Sequence, residues 1–271
     1  MFSLRRAVPA PIAVIGLCVF SGLATGQEIH HSFCAHGCPA GGPATNDVII
    51  REIYVLSSND ATKFADWVAY RVTRDTIGVS HTRNWKTDPL LAANETLEPD
   101  DYRGANAALK TDRGHQVPLA SFAGTPHWSQ TNYLSNITPQ SSSLNQGAWV
   151  KLENAERALA RSASAHAVYV TSGPLYEGNA GMLPKADESH AVPSGYWKVL
   201  AVAQGDVLRV AAFIFQQETT RDANICDHLV TVNEVEARSG LNLFHALPAA
   251  REEPLEATRG TLATSLGCVV E

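Results

Sequence analysis

The pattern of apolar and polar residues along the chain predicts several short strands separated by polar turns. β-Branched and aromatic residues cluster in short segments, in partial alternation with polar ones. Strands are predicted at 47–56, 67–73, 167–172, 196–203 and 208–215. Polar residues at 57–60 predict a turn between the first two strands, and Gly205-Asp206 predicts a hairpin between the last two. The stretch 76–99 is polar and is predicted to be irregular.

One long helix is predicted over 144–161. Ser143 is a favourable N-cap, and Gln146 three residues later completes a capping box. Four residues recur at intervals of four and would form one slowly drifting stripe, namely Asn145, Trp149, Glu153 and Arg157. By spacing alone, a solvated face with a Glu153–Arg157 pair is the simpler interpretation.

The remaining pattern indicates an α+β fold. A shorter helix is predicted at 232–239, ending at Gly240, and 249–263 is predicted to be a surface loop. Strands and helices mix without regular alternation, which is typical of α+β proteins. We find no repeat and no long linker, so we expect a single catalytic domain over 27–271.

The N-terminus predicts a signal peptide over 1–26. Arg5 and Arg6 precede an apolar run at 7–23, and small residues at 24–26 predict cleavage before Gln27. The alternative is a membrane anchor, but the run is short for a span, contains two prolines and is followed directly by polar sequence. No later segment is long and apolar enough to cross a bilayer. We therefore expect a secreted or periplasmic protein with no membrane contact after cleavage.

Cysteine usage agrees with export. Four cysteines would remain after cleavage, Cys34, Cys38, Cys226 and Cys268, and an even number in an exported chain predicts two disulfides with three alternative pairings. The short glycine-containing loop between Cys34 and Cys38 can close one bridge, which leaves Cys226 for Cys268. The alternative is a zinc site that also uses His30, His31 or His36, although the spacing fits no common zinc pattern.

The charge of the chain is acidic. Removing 1–26 lowers Lys and Arg from 21 to 19 and leaves 27 Asp and Glu, a formal charge of −8. Such a chain lacks the overall basic character typical of nucleic-acid-binding proteins. Net charge controls solubility and long-range steering, however, so a local basic cleft can still bind phosphate.

The candidate chemistry is concentrated at Asp112-Arg113-Gly114-His115 and in the predicted long helix. His115 offers a general base, and Asn145 offers a neutral oxygen ligand. Glu153 and Arg157 add a carboxylate and a guanidinium. A metal-assisted phosphodiester hydrolase needs this set of groups, because water must be activated and phosphate charge neutralised. Taken alone, His115 is more simply interpreted as a hydrogen-bonded turn residue.

Segment 112–115 resembles the DRGH signature of the DNA/RNA non-specific endonucleases. The continuation at 116–121 resembles the same family. Further segments match it in order along the chain, at 82–89, 132–140, 144–149, 173–177 and 196–199, and the paired cysteines near both ends also fit. A four-residue motif alone would be weak, but this many ordered segments are highly specific.

The resemblance implies a ββα-metal nuclease fold with a central antiparallel sheet and flanking helices. It implies that His115 is the general base and that Asn145 ligates Mg²⁺ directly, with Mn²⁺ as an alternative cation. Glu153 would act on the cation through water. Because magnesium commonly keeps several waters and few protein ligands, a single amide ligand is chemically reasonable.

The resemblance also assigns the phosphate-binding groups. Arg83 would stabilise the transition-state phosphate, and Arg157 would contact the phosphate or the leaving group. Arg113, Asn132 and Asn136 would shape the substrate-binding site, with a structural ion pair as the alternative for Arg113. The implied substrates are DNA and RNA, cut to 5′-phosphate ends. Phosphate contacts carry no sequence information, so poor sequence specificity follows. A homodimer is left open.

Two other function classes compete. One is another exported metal-dependent phosphodiesterase that acts on nucleotides or lipid phosphates. The other is a non-catalytic binding module, which the joint presence of Arg83, His115, Asn145 and Glu153 argues against. The chain has no Gly-x-Ser-x-Gly elbow and no Walker-type loop, so serine hydrolase and nucleotide-switch functions lack support.

Overall fold

A seven-stranded antiparallel sheet forms the centre of the fold in this computed structural model, which describes residues 29–79, 81–205, 207–260 and 262–269. The predicted signal peptide lies outside the described residues. The strands are β1 (Asp47–Ile50), β2 (Tyr54–Ser58), β3 (Ala65–Val72), β4 (Thr111–His115), β5 (Ile137–Ser141), β6 (Val168–Leu175), β7 (Gly195–Gln204), β8 (Val207–Gln216) and β9 (Leu229–Val230). The large sheet has the order β1-β2-β3-β6-β7-β8-β9, and β4 pairs with β5 in a separate antiparallel ribbon.

Helices cover both faces of the large sheet. They are α1 (Ala105–Leu109), α2 (Leu119–Phe122), α3 (Ser142–Leu144), α4 (Val150–Arg161), α5 (Val232–Ser239) and α6 (Ala249–Glu256). Short 3₁₀ turns occur at Ala93–Glu95, Trp128–Asn132, Leu134–Asn136, Ile225–His228 and Ala263–Leu266. No helix in the described part of the chain is long and apolar enough to span a membrane.

Successive side chains along each strand point to opposite faces of the sheet, so the core forms two layers. On β3, Val68 and Tyr70 face the layer covered by α4, whereas Trp67 and Ala69 face the layer covered by α5. Successive side chains of a strand point to opposite faces, so a sheet buried on both sides needs apolar residues at nearly every position. This arrangement confirms the α+β prediction and gives a rigid support for α4.

The structure confirms most predicted elements. The strands at 167–172, 196–203 and 208–215 form, and β7 and β8 pair from Gly195↔Gln216 to Gln204↔Val207 as the predicted hairpin. The helix at 232–239 ends at Gly240, whose φ of 73° is the left-handed geometry that glycine tolerates. The disulfides are Cys34–Cys38 and Cys226–Cys268, as predicted, so the alternative of a cysteine-ligated zinc site is wrong.

Two predicted segments are wrong. The strand predicted at 47–56 is a hairpin, because the chain reverses after β1 and the Arg51 N–H donates to the Tyr54 carbonyl at 2.9 Å. Buried Asp88 holds the Arg51 side chain at this turn. Ser57 and Ser58, predicted as turn residues, continue β2.

The loop predicted at 249–263 contains α6 instead. Pro254 inside the helix obscured it, since proline removes a helical hydrogen bond and normally argues against a helix. Leu255 packs against the core, and Glu256 is buried at the end of the helix. These contacts stabilise a helix that the local sequence disfavours.

Candidate active site

A kink in the predicted long helix shapes one wall of the site. Ser141, and not Ser143, caps the helix by accepting the Leu144 N–H at 3.2 Å. After α3 the chain makes a π-helical turn at Asn145–Trp149 before α4 begins. Gly147 lies at φ −116° and ψ −113° within this turn. Such π turns are frequent at functional sites.

The kink breaks the predicted stripe of four residues. Trp149 turns into the core, where its ring packs against Tyr196 and Phe215 at 5.7 and 6.1 Å. Val150 takes the place on the cavity wall that simple helical spacing assigned to Trp149. The prediction of one continuous stripe is therefore wrong at Trp149, because the π turn adds a residue to the helical spacing.

The ribbon β4–β5 and the kinked helix together form one cavity of about 720 Å³. Six of the eight predicted site residues line it, namely Arg83, Arg113, His115, Asn145, Glu153 and Arg157. His115 ends β4, where it pairs with Ile137 of β5. Strand β4, the kinked helix and the loop that carries Arg83 thus bring the imidazole, the Asn145 amide and the arginines to one place.

The surroundings of His115 keep its imidazole neutral. Nε2 lies 3.3 Å from Oδ1 of the buried Asn132, so Nε2 carries the proton and Nδ1 keeps its lone pair. Burial lowers the pKa of His115 to about 4. The Asn132 hydrogen bond opposes this shift, and nearby Arg83 adds to it. A neutral imidazole at pH 7 is the form that a general base requires.

Asp112 is the centre of a hydrogen-bond network that orients the candidate ligand. Its carboxylate accepts hydrogen bonds from Asn106, Ser142, Asn145 and Gln146. Burial raises its pKa, but these hydrogen bonds, led by that from Asn145, outweigh burial and hold the pKa below the usual value. The Asn145 bond uses its amide nitrogen, at 2.9 Å from Oδ2 of Asp112. The amide oxygen of Asn145 is therefore the atom left for a cation.

Arg157 is held tightly at the other end of the cavity. Nη1 donates to the Ser121 hydroxyl at 3.3 Å and lies 3.7 Å from Oε2 of Glu153. Nη2 donates to Oδ1 of Asn154 at 2.7 Å. A guanidinium has five N–H donors in a fixed plane, so these contacts fix its orientation and leave donors for a phosphate.

The other two arginines differ in how they are held. Arg113 donates to the Pro99 carbonyl at 2.8 Å and lies over the rings of Tyr102 and Trp85, at 5.2 and 5.7 Å. Within the described ranges it makes no ion pair, so the structural ion-pair alternative does not fit. Arg83 is exposed, and none of the described residues accepts a hydrogen bond from it. Its guanidinium can follow a bound phosphate.

Asn132 and Asn136 do not line the cavity, and the expected role in shaping the substrate-binding site would act from behind the cavity wall. Asn136 is fully buried, and its amide bonds the Val117 backbone at 2.8 and 3.0 Å and the Thr131 carbonyl at 2.9 Å. Asn132 contacts the imidazole of His115 through its Oδ1. Both residues shape the site through the backbone and the imidazole.

Several residues that shape the site were missed. Asp112 had no separate role predicted from the sequence, and the aromatic wall of Trp85 and Tyr102 was not predicted at all. A buried polar group of Ser121, Glu156 and Lys198 was not predicted either. Lys198 carried a usable signal, because a lysine in the apolar strand 196–203 must be buried with a partner.

The donor set fits a hard divalent cation. The cavity wall carries the amide oxygen of Asn145 and the carboxylates of Asp112 and Glu153. Oxygen atoms are the ligands that magnesium prefers, and few protein ligands suffice because it keeps several waters. No nitrogen or sulfur cluster typical of zinc lies among these side chains.

A ββα unit that gathers a neutral imidazole, oxygen ligands and three arginines in one cavity defines a phosphodiester hydrolase of the ββα-metal type. The sequence profile of the DNA/RNA non-specific endonucleases matches residues 31–250. The chain belongs to this family, and it is accordingly a metal-dependent endonuclease, as the motif resemblance predicted.

Individual relatives agree over most of the chain. It is 50% identical to the nuclease of Serratia marcescens over 236 residues, which cover 87% of this chain and 88% of the relative. It is 32% identical to human mitochondrial endonuclease G over 241 residues, covering 80% and 75% of the two chains. A crystal structure of the EndoG/EndoGI complex superposes with a TM-score of 0.65 at 26% identity, covering 75% of this chain and 88% of that chain.

Proposed function

We propose that the chain is an exported endonuclease that hydrolyses DNA and RNA phosphodiester bonds to 5′-phosphate ends, with His115 as the general base. The observation that carries this proposal is the joint geometry of His115 and Asn145. One supplies a neutral imidazole, and the other supplies an oriented amide oxygen, on the wall of the same cavity.

His115 supplies the basic nitrogen. With Nε2 held by Asn132, Nδ1 accepts a proton from the attacking water as the oxygen bonds to phosphorus. The Trp149 indole donates to the His115 carbonyl at 3.3 Å and holds the strand end in place. The bond to the leaving 3′-oxygen breaks, and this oxygen takes a proton from solvent water while the proton from the attacking water stays on Nδ1.

Asn145 would hold one Mg²⁺ through its amide oxygen, and Mn²⁺ is an alternative with the same preference for oxygen ligands. A cation bound there would supply positive charge to neutralise the phosphate. Glu153 would contribute a carboxylate that acts on the cation through water. Asp112 acts on Asn145 and keeps its oxygen turned away from the protein.

The arginines bind the phosphate. Arg157 presents a fixed guanidinium, and Arg83 presents one that can move with the substrate. Both stabilise the negative charge that develops on phosphorus-bound oxygens. Contacts confined to phosphate and sugar do not read base edges, so the enzyme should accept many sequences in both DNA and RNA.

Export and domain organisation form part of the proposal. Two disulfides are typical of proteins that fold in oxidising compartments, which supports a secreted or periplasmic location. We also propose that residues 1–26 are a signal peptide and that 27–271 form a single catalytic domain. The sequence leaves a homodimer open, and sedimentation of the purified protein measures the oligomeric state.

The test is cleavage of supercoiled plasmid and of a single-stranded RNA by the purified mature chain. We expect both to be cut with Mg²⁺ present, and neither after chelation. His115→Ala should lower the rate by at least about 10²–10⁴-fold, the usual contribution of a general base. His166→Ala is the matched control, because this histidine is exposed and lies outside the cavity.

Two outcomes would contradict the proposal. Cleavage that persists in chelator would remove the metal-assisted mechanism. Hydrolysis of bis(p-nitrophenyl) phosphate or phospholipid together with intact plasmid and RNA would instead indicate another class of phosphodiesterase.

A further inference from the structure

A charged pair, Lys198 and Glu156, lies buried beneath the cavity, and neither residue lines it. Lys198 on β7 and Glu156 on α4 are both fully buried, with Nζ 3.7 Å from Oε2. The Tyr70 hydroxyl donates to Oε2 of Glu156 at 3.1 Å and accepts from Nζ of Lys198 at 3.2 Å. Burial raises the pKa of Glu156, and the Lys198 ammonium opposes that shift.

The network around this pair reaches the cavity through one hydroxyl. Ser121 donates to Oε1 of Glu156 at 3.2 Å and accepts from Nη1 of Arg157 at 3.3 Å. A serine hydroxyl has a single proton. When that proton is given to the carboxylate, the oxygen lone pairs face the guanidinium. Glu156 thereby makes the Ser121 hydroxyl an acceptor toward Arg157, and this hydrogen bond helps to orient the guanidinium.

A second branch leads from Lys198 toward the base. The Lys198 ammonium lies 4.3 Å from the centre of the Trp149 ring. The indole nitrogen of Trp149 in turn donates to the His115 carbonyl at 3.3 Å. One buried ion pair is thus joined by direct contacts to both sides of the cavity.

Stability alone gives a poor reason for this ion pair. Taking two charges out of water costs free energy that their attraction often fails to recover, and well-packed apolar residues usually serve a core as well or better. The neighbouring layer is otherwise built of apolar side chains such as Val170, Leu200 and Phe213. The Lys198–Glu156 pair therefore lies in an otherwise apolar layer. Through Ser121 it is connected to Arg157, the arginine that we propose binds phosphate.

We propose that Ser121, Glu156 and Lys198 are positioning residues that hold the guanidinium of Arg157 where it stabilises the negative charge that develops on the phosphate. This inference rests on the proposed role of Arg157. Ser121 lies on α2, whose residues Leu119 and Ala120 line the cavity, so the network also ties that wall to α4. The three residues act through Arg157 and do not touch the substrate.

A double-mutant cycle tests the inference. Plasmid cleavage is measured for wild type, Ser121→Ala, Arg157→Ala and the double variant, each with kcat and KM. We expect Ser121→Ala to lower kcat about tenfold with little change in KM, since residues that share one network couple by about this amount. In the Arg157→Ala background the same substitution should change kcat less than about twofold, because its target is gone.

Glu156→Gln provides a second, independent cycle with Arg157→Ala. It keeps the side-chain shape but removes the charge, and it serves should Ser121→Ala fail to fold. Ser58→Ala is the matched control, because Ser58 is also a buried serine but lies on β2, outside the network. Ser58→Ala should leave kcat unchanged when it is added to the wild type and when it is added to Arg157→Ala. Thermal unfolding of each variant verifies folding.

The outcomes separate the two proposals. Independent effects of Ser121 and Arg157, so that the losses multiply in the double variant, would overturn the positioning role and leave the role of Arg157 intact. Full activity of Arg157→Ala would overturn both. A loss at Ser121 that appears only in KM, or an equal loss at Ser58, would assign Ser121 a general structural role and overturn the inference.

Discussion

The amide nitrogen of Asn145 donates to Oδ2 of Asp112 at 2.9 Å, and this one bond decides which end of the amide faces the cavity. The Asp112 carboxylate can only accept hydrogen bonds when ionised, so the amide oxygen must point away from it. The low pKa of Asp112 keeps the carboxylate ionised at neutral pH. A neutral side chain thereby becomes a preoriented oxygen donor.

This relationship predicts a graded response to substitution. Asn145→Ala should lower cleavage severely, and added Mg²⁺ should restore it only in part, because the lost oxygen also positions the cation against the phosphate. Asp112→Asn should be milder, weakening apparent Mg²⁺ affinity by about 10–100-fold, as for residues that orient a ligand. Glu153→Ala should also be milder, since it acts through water. The measurement is the cleavage rate against Mg²⁺ concentration.

Asn94→Ala is the matched control for this series, because Asn94 is exposed and lies outside the cavity. Its magnesium dependence should equal that of the wild type. A full rate for Asn145→Ala at ordinary Mg²⁺ would show that the cation is held elsewhere.

The pH dependence follows from the burial of His115. Its pKa is lowered to about 4, so the imidazole is neutral, and able to accept a proton, at every pH well above that value. The ratio kcat/KM reports the free enzyme. It should therefore rise as pH increases through about 4 and should show no further step near 6.5, the ordinary histidine value.

The check is a kcat/KM profile from pH 3.5 to 8, with intrinsic tryptophan fluorescence recorded in parallel to confirm that the chain is folded. A step near pH 6.5 in a folded enzyme would mean that His115 is solvated before substrate binds. Arg83→Ala should move the step to higher pH, because the arginine charge helps to lower the pKa of His115.

The two disulfides should stabilise the fold unequally. Cys226–Cys268 closes a loop with a sequence separation of 42, and Cys34–Cys38 one with a separation of 4. Chain-entropy arithmetic gives about 4 kcal/mol for the longer loop and about 2 kcal/mol for the shorter one. Urea unfolding of the two double Cys→Ser variants measures the difference. Equal losses would show that local packing, and not loop closure, controls their contribution.

The sequence predicted the chemistry of the site better than its geometry. Motif order predicted His115 and Asn145 as site residues, and both line the cavity. The buried partners were not predictable in the same way. Glu156 and Arg157 are adjacent in sequence, yet Arg157 lines the cavity and Glu156 faces the core. The packing of α4 on the sheet determines the direction of each side chain.

The errors in the fold have a common physical origin. The turn after β1 and the helix α6 both depend on contacts that are distant in sequence. Arg51 is held by Asp88, and Leu255 packs on the sheet. Local propensity indicated the opposite structure in both places. Tertiary contacts outweigh it even at Pro254, where proline costs about 3 kcal/mol in a helix interior.

The kink at Gly147 has the same kind of cause and gives the last prediction. A Cβ at this position would lie 2.6 Å from the Cα and carbonyl oxygen of Arg221. Backbone atoms cannot rotate away, so one of the two segments must move. Gly147→Ala would gain up to about 1 kcal/mol in a regular helix. Here the overlap should cost more, about 1–3 kcal/mol.

Gly147→Ala should therefore lower both the Tm and the rate. Asn145 opens the π turn that contains Gly147, so a shift of the turn displaces the candidate ligand, and a displacement of about 1 Å can cost about 10²-fold in rate. Gly178→Ala is the matched control, since its nearest neighbour would be the Ser194 Cβ at 4.0 Å. Thermal unfolding and plasmid cleavage measure the two effects separately. An unchanged Tm together with an unchanged rate would show that the Arg221 segment yields easily and that the kink does not hold Asn145 in place.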